Sequence, residues 1–202
     1  MRPLPIGHGH LTELERPLAA LHADVRRVER WGRMLARVLS GGGRLLTAGN
    51  GGSAAEAQHL AAELVGRYRD ERVPLSALPL CADSASVTAI ANDYGGDELF
   101  ARQVRAHGRA GDVLVLLSSS GRSPNVLAAA DAAAEQGLTR LALTGPPGSP
   151  LARRADDHLA VDSPHTATIQ EIHLIAIHLL CAAIDAELVA AAPRRLVREH
   201  AA

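Results

Sequence analysis

The run Asp112-Val113-Leu114-Val115-Leu116-Leu117 constrains the fold more than any other stretch of the chain. It is apolar at nearly every position and has no polar face to give to water. Such a run suits a strand covered on both faces, as in a parallel sheet between two layers of helices. It leads into Ser118-Ser119-Ser120-Gly121-Arg122-Ser123, where Ser123 can cap a helix and Pro124 fits its first position. Similar strands are expected at Arg44–Ala48, Leu138–Thr144 and Asp157–Val161, with another at Leu75–Cys81 that Pro79 confines to an edge. Strands alternating with helices imply a parallel sheet with helices on both faces.

The helices are marked by spacing. After a loose lead over residues 1–10, apolar residues recur three and four apart, with one gap at Gly32, from Leu11 through Leu14, Leu18, Leu21, Val25, Val28 and Leu35 to Val38. Pro17 predicts a kink or a late start in this helix, and Gly41-Gly42-Gly43 ends it. A long seam ahead of the main fold predicts packing between subunits. Asp83 can cap a short helix over Val87–Ala91, Asn92-Asp93-Tyr94-Gly95-Gly96 reads as a turn, and a helix is expected over Glu98–His107. The segment from about Thr168 to Leu188 is apolar on most sides, as a buried helix is. The expected organisation is one domain over residues 1–202: an N-terminal helix at 11–40, an α/β core at 44–190 and a tail at 191–202.

Composition excludes some functions. Aromatic residues are 2% of the chain, too few for base-stacking platforms, and a net charge of −1 gives no broad basic surface. Nucleic acid is therefore not an expected partner. No signal core and no run of 18 uninterrupted apolar residues is present, so neither is a membrane. Cys81 and Cys181 lie in apolar settings and read as reduced core residues of a cytoplasmic protein.

Three constellations can carry chemistry. Thr47–Glu63 begins with Gly49-Asn50-Gly51-Gly52-Ser53, whose glycines permit a tight turn and close approach of backbone to ligand. Ser53 and Glu56 have capping-box spacing, and a helix start after a glycine turn suits an anion. Farther along, His59 and Glu63 stand at i and i+4 on one face. Taken alone, such a pair is more often an ordinary feature of an amphipathic helix; otherwise it is a metal site or an acid–base pair. The second constellation, Ser118–Ser123, offers hydroxyls and backbone N–H groups at a strand's carboxyl end and reads as a phosphate cradle without a lysine. The third is Gln170, His173 and His178 on the apolar C-terminal helix, where Thr168 and Glu171 again have capping-box spacing. Gln170 and His178 are separated by roughly 80° around the helix and about 12 Å along it. They meet one metal only if both lean toward it or if subunits share the site.

Four blocks in order resemble the phosphoheptose isomerases of the sugar-isomerase (SIS) domain superfamily: Gly49–Ser53; His59 through Glu63 to Gly66-Arg67-Tyr68-Arg69; Ser118–Gly121 with Ser123 and Asn125; and Ile169–His173 with His178. The resemblance spans residues 44–190. It implies a three-layer sandwich with a five-stranded, parallel, flavodoxin-like sheet, and an N-terminal helix that joins a homotetramer. The implied reaction is aldose–ketose isomerisation of sedoheptulose 7-phosphate through an enediol, entering heptose biosynthesis. The implied zinc ligands are His59, Glu63, Gln170 and His178, with Glu63 as base and His178 as acid. Ser118, Ser119, Ser120 and Ser123 match the phosphate loop. Asn50, Gly51, Gly52, Ser53, Asn92, Asp93 and Gln170 match substrate-contacting positions. Arg67 matches an arginine near a neighbouring subunit's site. Ala167 stands where the family often has an aspartate, with His165 and Thr168 as candidate replacements. The same resemblance leaves a second reading, a non-catalytic SIS tetramer that binds a partner protein such as a replication initiator.

Overall fold

The computed structural model describes residues 6–191. The expected tail from residue 192 onward and the first five residues of the lead lie outside that range. Helix α1 (Ile6–Ser40) precedes an alternating core: β1 (Leu45–Gly49), α2 (Gly52–Val65), β2 (Ala77–Pro79), α3 (Ser84–Tyr94), α4 (Glu98–His107), β3 (Val113–Ser118), α5 (Pro124–Glu135), β4 (Thr139–Thr144), α6 (Pro150–Arg154), β5 (Asp157–Ala160) and α7 (Thr166–Ala191). All five strands are parallel, in the order β2-β1-β3-β4-β5. The expected three-layer α/β sandwich is therefore present, and Pro79 sits on an edge strand.

Side chains along β3 alternate between two cores. Val113, Val115 and Leu117 pack with α1, α2 and α7, whereas Leu114 and Leu116 pack with α4, α5 and α6. Both faces are dry, which is why this strand needs no polar alternation.

Several local expectations are corrected. Helix α1 starts five residues earlier than the seam and runs unbroken through Pro17, which is buried within it. Its seam is satisfied largely within the chain: Leu21, Val28, Trp31, Leu35 and Leu39 are buried, and a Cβ on Gly32 would strike Ala183 of α7. The indole Nε1 of Trp31 donates to Asp157 at 2.7 Å and ties α1 to β5. Leu11 and Leu18 remain exposed at the N-terminal end.

Neither capping box forms. Helix α2 is capped at Gly51 with no side-chain bond, because Gly51 takes φ 55° and the helix begins one residue before Ser53. Helix α7 begins at Thr166, which places Thr168 inside the helix and buries it. Asn92 and Asp93 are not a loop but the last turn of α3, a longer helix than expected, which Asp83 caps through Ala85 N. The second strand contracts from seven expected residues to Ala77–Pro79, and α6, absent from the expected helices although Ser149-Pro150 repeats the Ser123-Pro124 signature, is a short turn capped by Ser149.

Helix α7 is 26 residues long and apolar enough to cross a membrane by length and composition. Here it is the central helix of one core layer: Ile172, Ala176, Ile177, Leu180 and Ile184 are buried against α1, α2 and the sheet.

Candidate active site

The strand order reverses between β1 and β3. In open parallel sheets such a switch point leaves a crevice at the strands' carboxyl ends where ligands bind. Both motif loops lie there, since Gly49 at the end of β1 is paired in register with Leu117 near the end of β3.

The glycine turn leaves β1. A Cβ on Gly49 would lie 2.6 Å from the Ser53 carbonyl, and one on Gly52 would lie 2.5 Å from Gln170 Nε2. The two bare glycines let α2 start hard against the strand and let Gln170 of α7 lie over the helix start. Ser53 is buried in the first turn. Asn50 projects from the turn and exchanges two hydrogen bonds with Asn125 of α5: Asn50 Nδ2 donates at 2.9 Å and Asn125 Nδ2 donates back at 3.0 Å.

The serine loop leaves β3. Ser118 is buried, and its Oγ accepts from Gly121 N at 3.1 Å and lies 3.3 Å from Ser123 Oγ. Ser123 thus spends its hydroxyl across the loop instead of capping α5. Ser120 Oγ accepts from Arg122 N at 3.2 Å, and Ser119 is half-buried. Gly121 takes φ +60°, and a Cβ there would lie 2.6 Å from Thr144 Oγ1, so only glycine closes this loop without strain. The result is a compact set of hydroxyls at a strand end.

The reactive cluster lies between α2 and α7. His59 Nε2 and His178 Nε2 are 2.9 Å apart with rings edge to face, and His59 Nε2 is 3.6 Å from Glu63 Oε1. The other oxygen of Glu63 is buried without a partner. Tyr68 stacks on His178 at 5.6 Å between ring centroids. Arg72 staples the two helices together. Its Nε donates to Asp185 at 2.8 Å and its terminal nitrogens donate to the carbonyls of Glu63, Leu64 and Val73. The last turn of α2, which carries Glu63, is thereby fixed to the helix that carries His178.

A second buried pair lies behind the site. Glu56 of α2 and His173 of α7 face each other at 3.9 Å, and both facing atoms, Oε2 and Nδ1, are otherwise unpartnered. Burial pushes the Glu56 carboxyl up to about 8. Burial also pushes His173 down to about 4, against the opposing bond from its Nε2 to the Thr144 carbonyl at 3.1 Å. Both groups are neutral at pH 7. Because Nε2 must donate to a carbonyl, Nδ1 is the acceptor in this tautomer, and the protonated Glu56 is the donor that faces it.

His59, Glu63 and His178 therefore come together, Gln170 lies against Gly52, and the serines cluster as the sequence suggests. Arg67 does not join them in this chain: it is exposed, bonded to the Arg69 carbonyl at 2.9 Å and 4.0 Å from Glu71. Asn92 and Asp93 are exposed and bonded to each other at 2.8 Å. Of the candidates for the missing aspartate, His165 turns to Glu13 of α1 at 3.5 Å and Thr168 is buried with its hydroxyl unpartnered. Sequence reasoning gave no role to Tyr68, Arg72 or Asn125, and it assigned Glu56 to a cap. Their partners are 110, 113, 75 and 117 residues away respectively, beyond any local pattern.

A parallel five-stranded sheet with a hydroxyl loop and a glycine turn at its switch point defines a SIS domain, and the SIS domain family model matches residues 12–145. Among similar proteins is the phosphoheptose isomerase of Streptomyces coelicolor, 63% identical over 89% of this chain and 78% of that protein. That of Thiobacillus denitrificans is 48% identical over 85% of this chain and 88% of that protein. Solved phosphoheptose isomerases from Neisseria gonorrhoeae (42% identical, TM-score 0.82) and Francisella tularensis (33% identical, TM-score 0.83) each cover 89% of this chain and 96% of their own. The chain belongs to the phosphoheptose isomerases, and it is a phosphosugar isomerase.

Proposed function

We propose that the protein converts D-sedoheptulose 7-phosphate to D-glycero-D-manno-heptose 7-phosphate, the first step toward nucleotide-activated heptoses. The observation that carries this reading is the meeting of Glu63 and His59 of α2, the helix that leads out of the glycine turn at the switch point, with His178 of α7. Isomerisation moves a proton between C1 and C2 of the sugar through an enediol. It needs a base, an acid and stabilisation of negative charge on oxygen. Glu63 takes the proton. His178 donates to the sugar oxygen, its ring held by Tyr68 and by the backbone staple through Arg72. Ser118, Ser119, Ser120 and Ser123 hold the phosphate, and Asn50, Gly51 and Gly52 meet the sugar.

One zinc ion per subunit fits this donor set. Among the described residues no three His, Cys, Asp or Glu side chains stand ready to hold a metal ion. Even so, two ring nitrogens converge and a carboxylate oxygen beside them is buried without a partner, the kind of unmet need a cation fills. His59, His178 and Glu63 would hold it, with the Gln170 amide oxygen joining only if it left its place against Gly52. When bound, zinc polarises sugar oxygens.

The protein is further read as a cytoplasmic homotetramer. Leu11 and Leu18 on α1 and Val73 and Val189 beside an open groove of about 620 Å³ are apolar surfaces suited to subunit contact. In such an assembly Arg67, free of its own site, can reach a neighbour's. The scaffold alternative is not favoured, because the acid, base and candidate ligands are all present.

The test is turnover of sedoheptulose 7-phosphate by purified protein, with Glu63→Gln and His178→Gln as variants. Each variant is expected to lose roughly a hundredfold to ten-thousandfold in kcat. Normal turnover in both would overturn the assigned roles.

A further inference from the structure

The switch-point crevice is bridged by a pair of side chains to which neither motif assigns a joint role. Asn50 follows β1 and belongs to the turn that meets the sugar. Asn125 lies in the first turn of α5, directly after the serine loop. They are 75 residues apart in sequence, yet each amide donates to the other's carbonyl, at 2.9 and 3.0 Å. The ring they form closes over the gap between two paired strands whose chains then diverge to opposite edges of the sheet.

Two features make the bridge more than a surface contact. The turn that carries Asn50 is packed at its flanks, at Gly49 and Gly52, but open at its tip: Gly51 takes φ +55°, a Cβ there would meet nothing within 4 Å, and no side chain caps the helix behind it. The loop beneath Asn125 is held by side-chain hydrogen bonds. Pro124 fixes the start of α5, and Ser118, Gly121 and Thr144 lock the serine loop to β4. A reciprocal amide pair therefore ties the open tip of one turn to a loop held by its own hydrogen bonds. It also leaves each amide one N–H and one lone pair, so Asn50 can meet the sugar while it stays clasped.

We propose that Asn125 is a positioning residue that sets the distance between the phosphate seat and the turn that meets the reacting end of the sugar. The clasp thereby selects the length of the sugar phosphate. This rests on the functional reading above. Asn125 itself touches neither phosphate nor sugar: it acts through Asn50.

The experiment compares wild type, Asn125→Ala, Asn125→Asp, Asn50→Ala and the Asn50→Ala/Asn125→Ala double variant. It measures kcat and KM for sedoheptulose 7-phosphate, the same constants for a five-carbon ketose phosphate, and competitive inhibition by inorganic phosphate. Asn125→Ala is expected to lower kcat/KM for the seven-carbon substrate by about tenfold or more, the scale of two lost hydrogen bonds. The loss falls mainly on kcat, discrimination against the shorter sugar narrows, and inhibition by phosphate is unchanged. Asn125→Asp keeps the shape and one of the two bonds, so it falls between, and it serves if the alanine variant folds poorly. Adding Asn125→Ala to Asn50→Ala costs little more, because Asn125 acts only through Asn50. Unchanged kcat/KM, additive losses or weakened phosphate inhibition would each overturn the proposal. If wild type does not turn over the heptulose phosphate, the functional reading falls first. The same cycle is then read by calorimetric titration with that sugar phosphate, where additivity sinks the clasp and non-additivity sustains it.

Discussion

Replacing Glu56 by glutamine tests the buried pair behind the site. The carboxyl has its ordinary value near 4.5 in the unfolded chain and about 8 in the fold. Between those values the folded protein binds a proton that the unfolded chain has released, so stability falls as pH rises from 4.5 to 8 and is level above. At about 1.4 kcal/mol per pH unit the cost at pH 7 is roughly 3 kcal/mol; screening at the exposed fringe of the side chain reduces it to about 2 kcal/mol. His173 works in the other sense. Its value near 4 lies below the ordinary 6.5, so the stability it contributes is complete above 6.5 and is lost as pH falls toward 4. The two slopes oppose each other between about 4.5 and 6.5, and only that of Glu56 remains from 6.5 to 8. Glutamine removes the titration but keeps an N–H that can donate to His173 Nδ1. Urea unfolding of Glu56→Gln and wild type across pH 5–9 is expected to show a stability difference that grows with pH, reaches about 2 kcal/mol near pH 7 and levels off above 8. A difference that is constant across pH, or that shrinks as pH rises, would refute the assignment of a protonated Glu56.

Gly52→Ala puts a Cβ 2.5 Å from the Gln170 amide, the movable end of that side chain, so it is expected to displace the amide, to cost under about 1 kcal/mol of stability and to raise KM, checked by thermal unfolding and steady-state kinetics. Arg72→Ala leaves the partly buried Asp185 without its cation and frees the carbonyl of Glu63. A loss of about 2–3 kcal/mol in denaturant unfolding follows, with lower kcat in whatever protein remains folded. Dialysis against a chelator is expected to lower turnover, and stoichiometric zinc to restore it, with bound metal measured by elemental analysis. Full activity in metal-free protein would remove zinc from the reading.

The parallel sheet was legible in the chain because Val113–Leu117 is apolar on both faces and because every strand leads into a turn and a helix. The edge position of β2 followed from Pro79, which has no N–H to give to a second neighbour. The hydroxyls of the serine loop and the i, i+4 placement of His59 and Glu63 could be read locally, but spacing alone favoured an ordinary pair, and its role came only with His178. Local spacing failed at the caps. Ser53 and Glu56 stand three apart, as a capping box requires, but Gly51 starts α2 earlier, and Glu56 turns inward to His173. Pro17 passed within α1 because tertiary packing on α7 outweighs one lost backbone bond.

What the sequence determined by itself, then, was the succession of elements and the local chemistry of each motif, because strand burial, helix period and turn residues act over a few positions. Only the tertiary structure decided which motifs share a site. The meeting of His59 with His178, of Arg72 with Asp185, and of Asn50 with Asn125 depends on how α2, α5 and α7 pack around the sheet. Packing of that kind joins side chains 75 to 119 residues apart, a relation that no local pattern encodes.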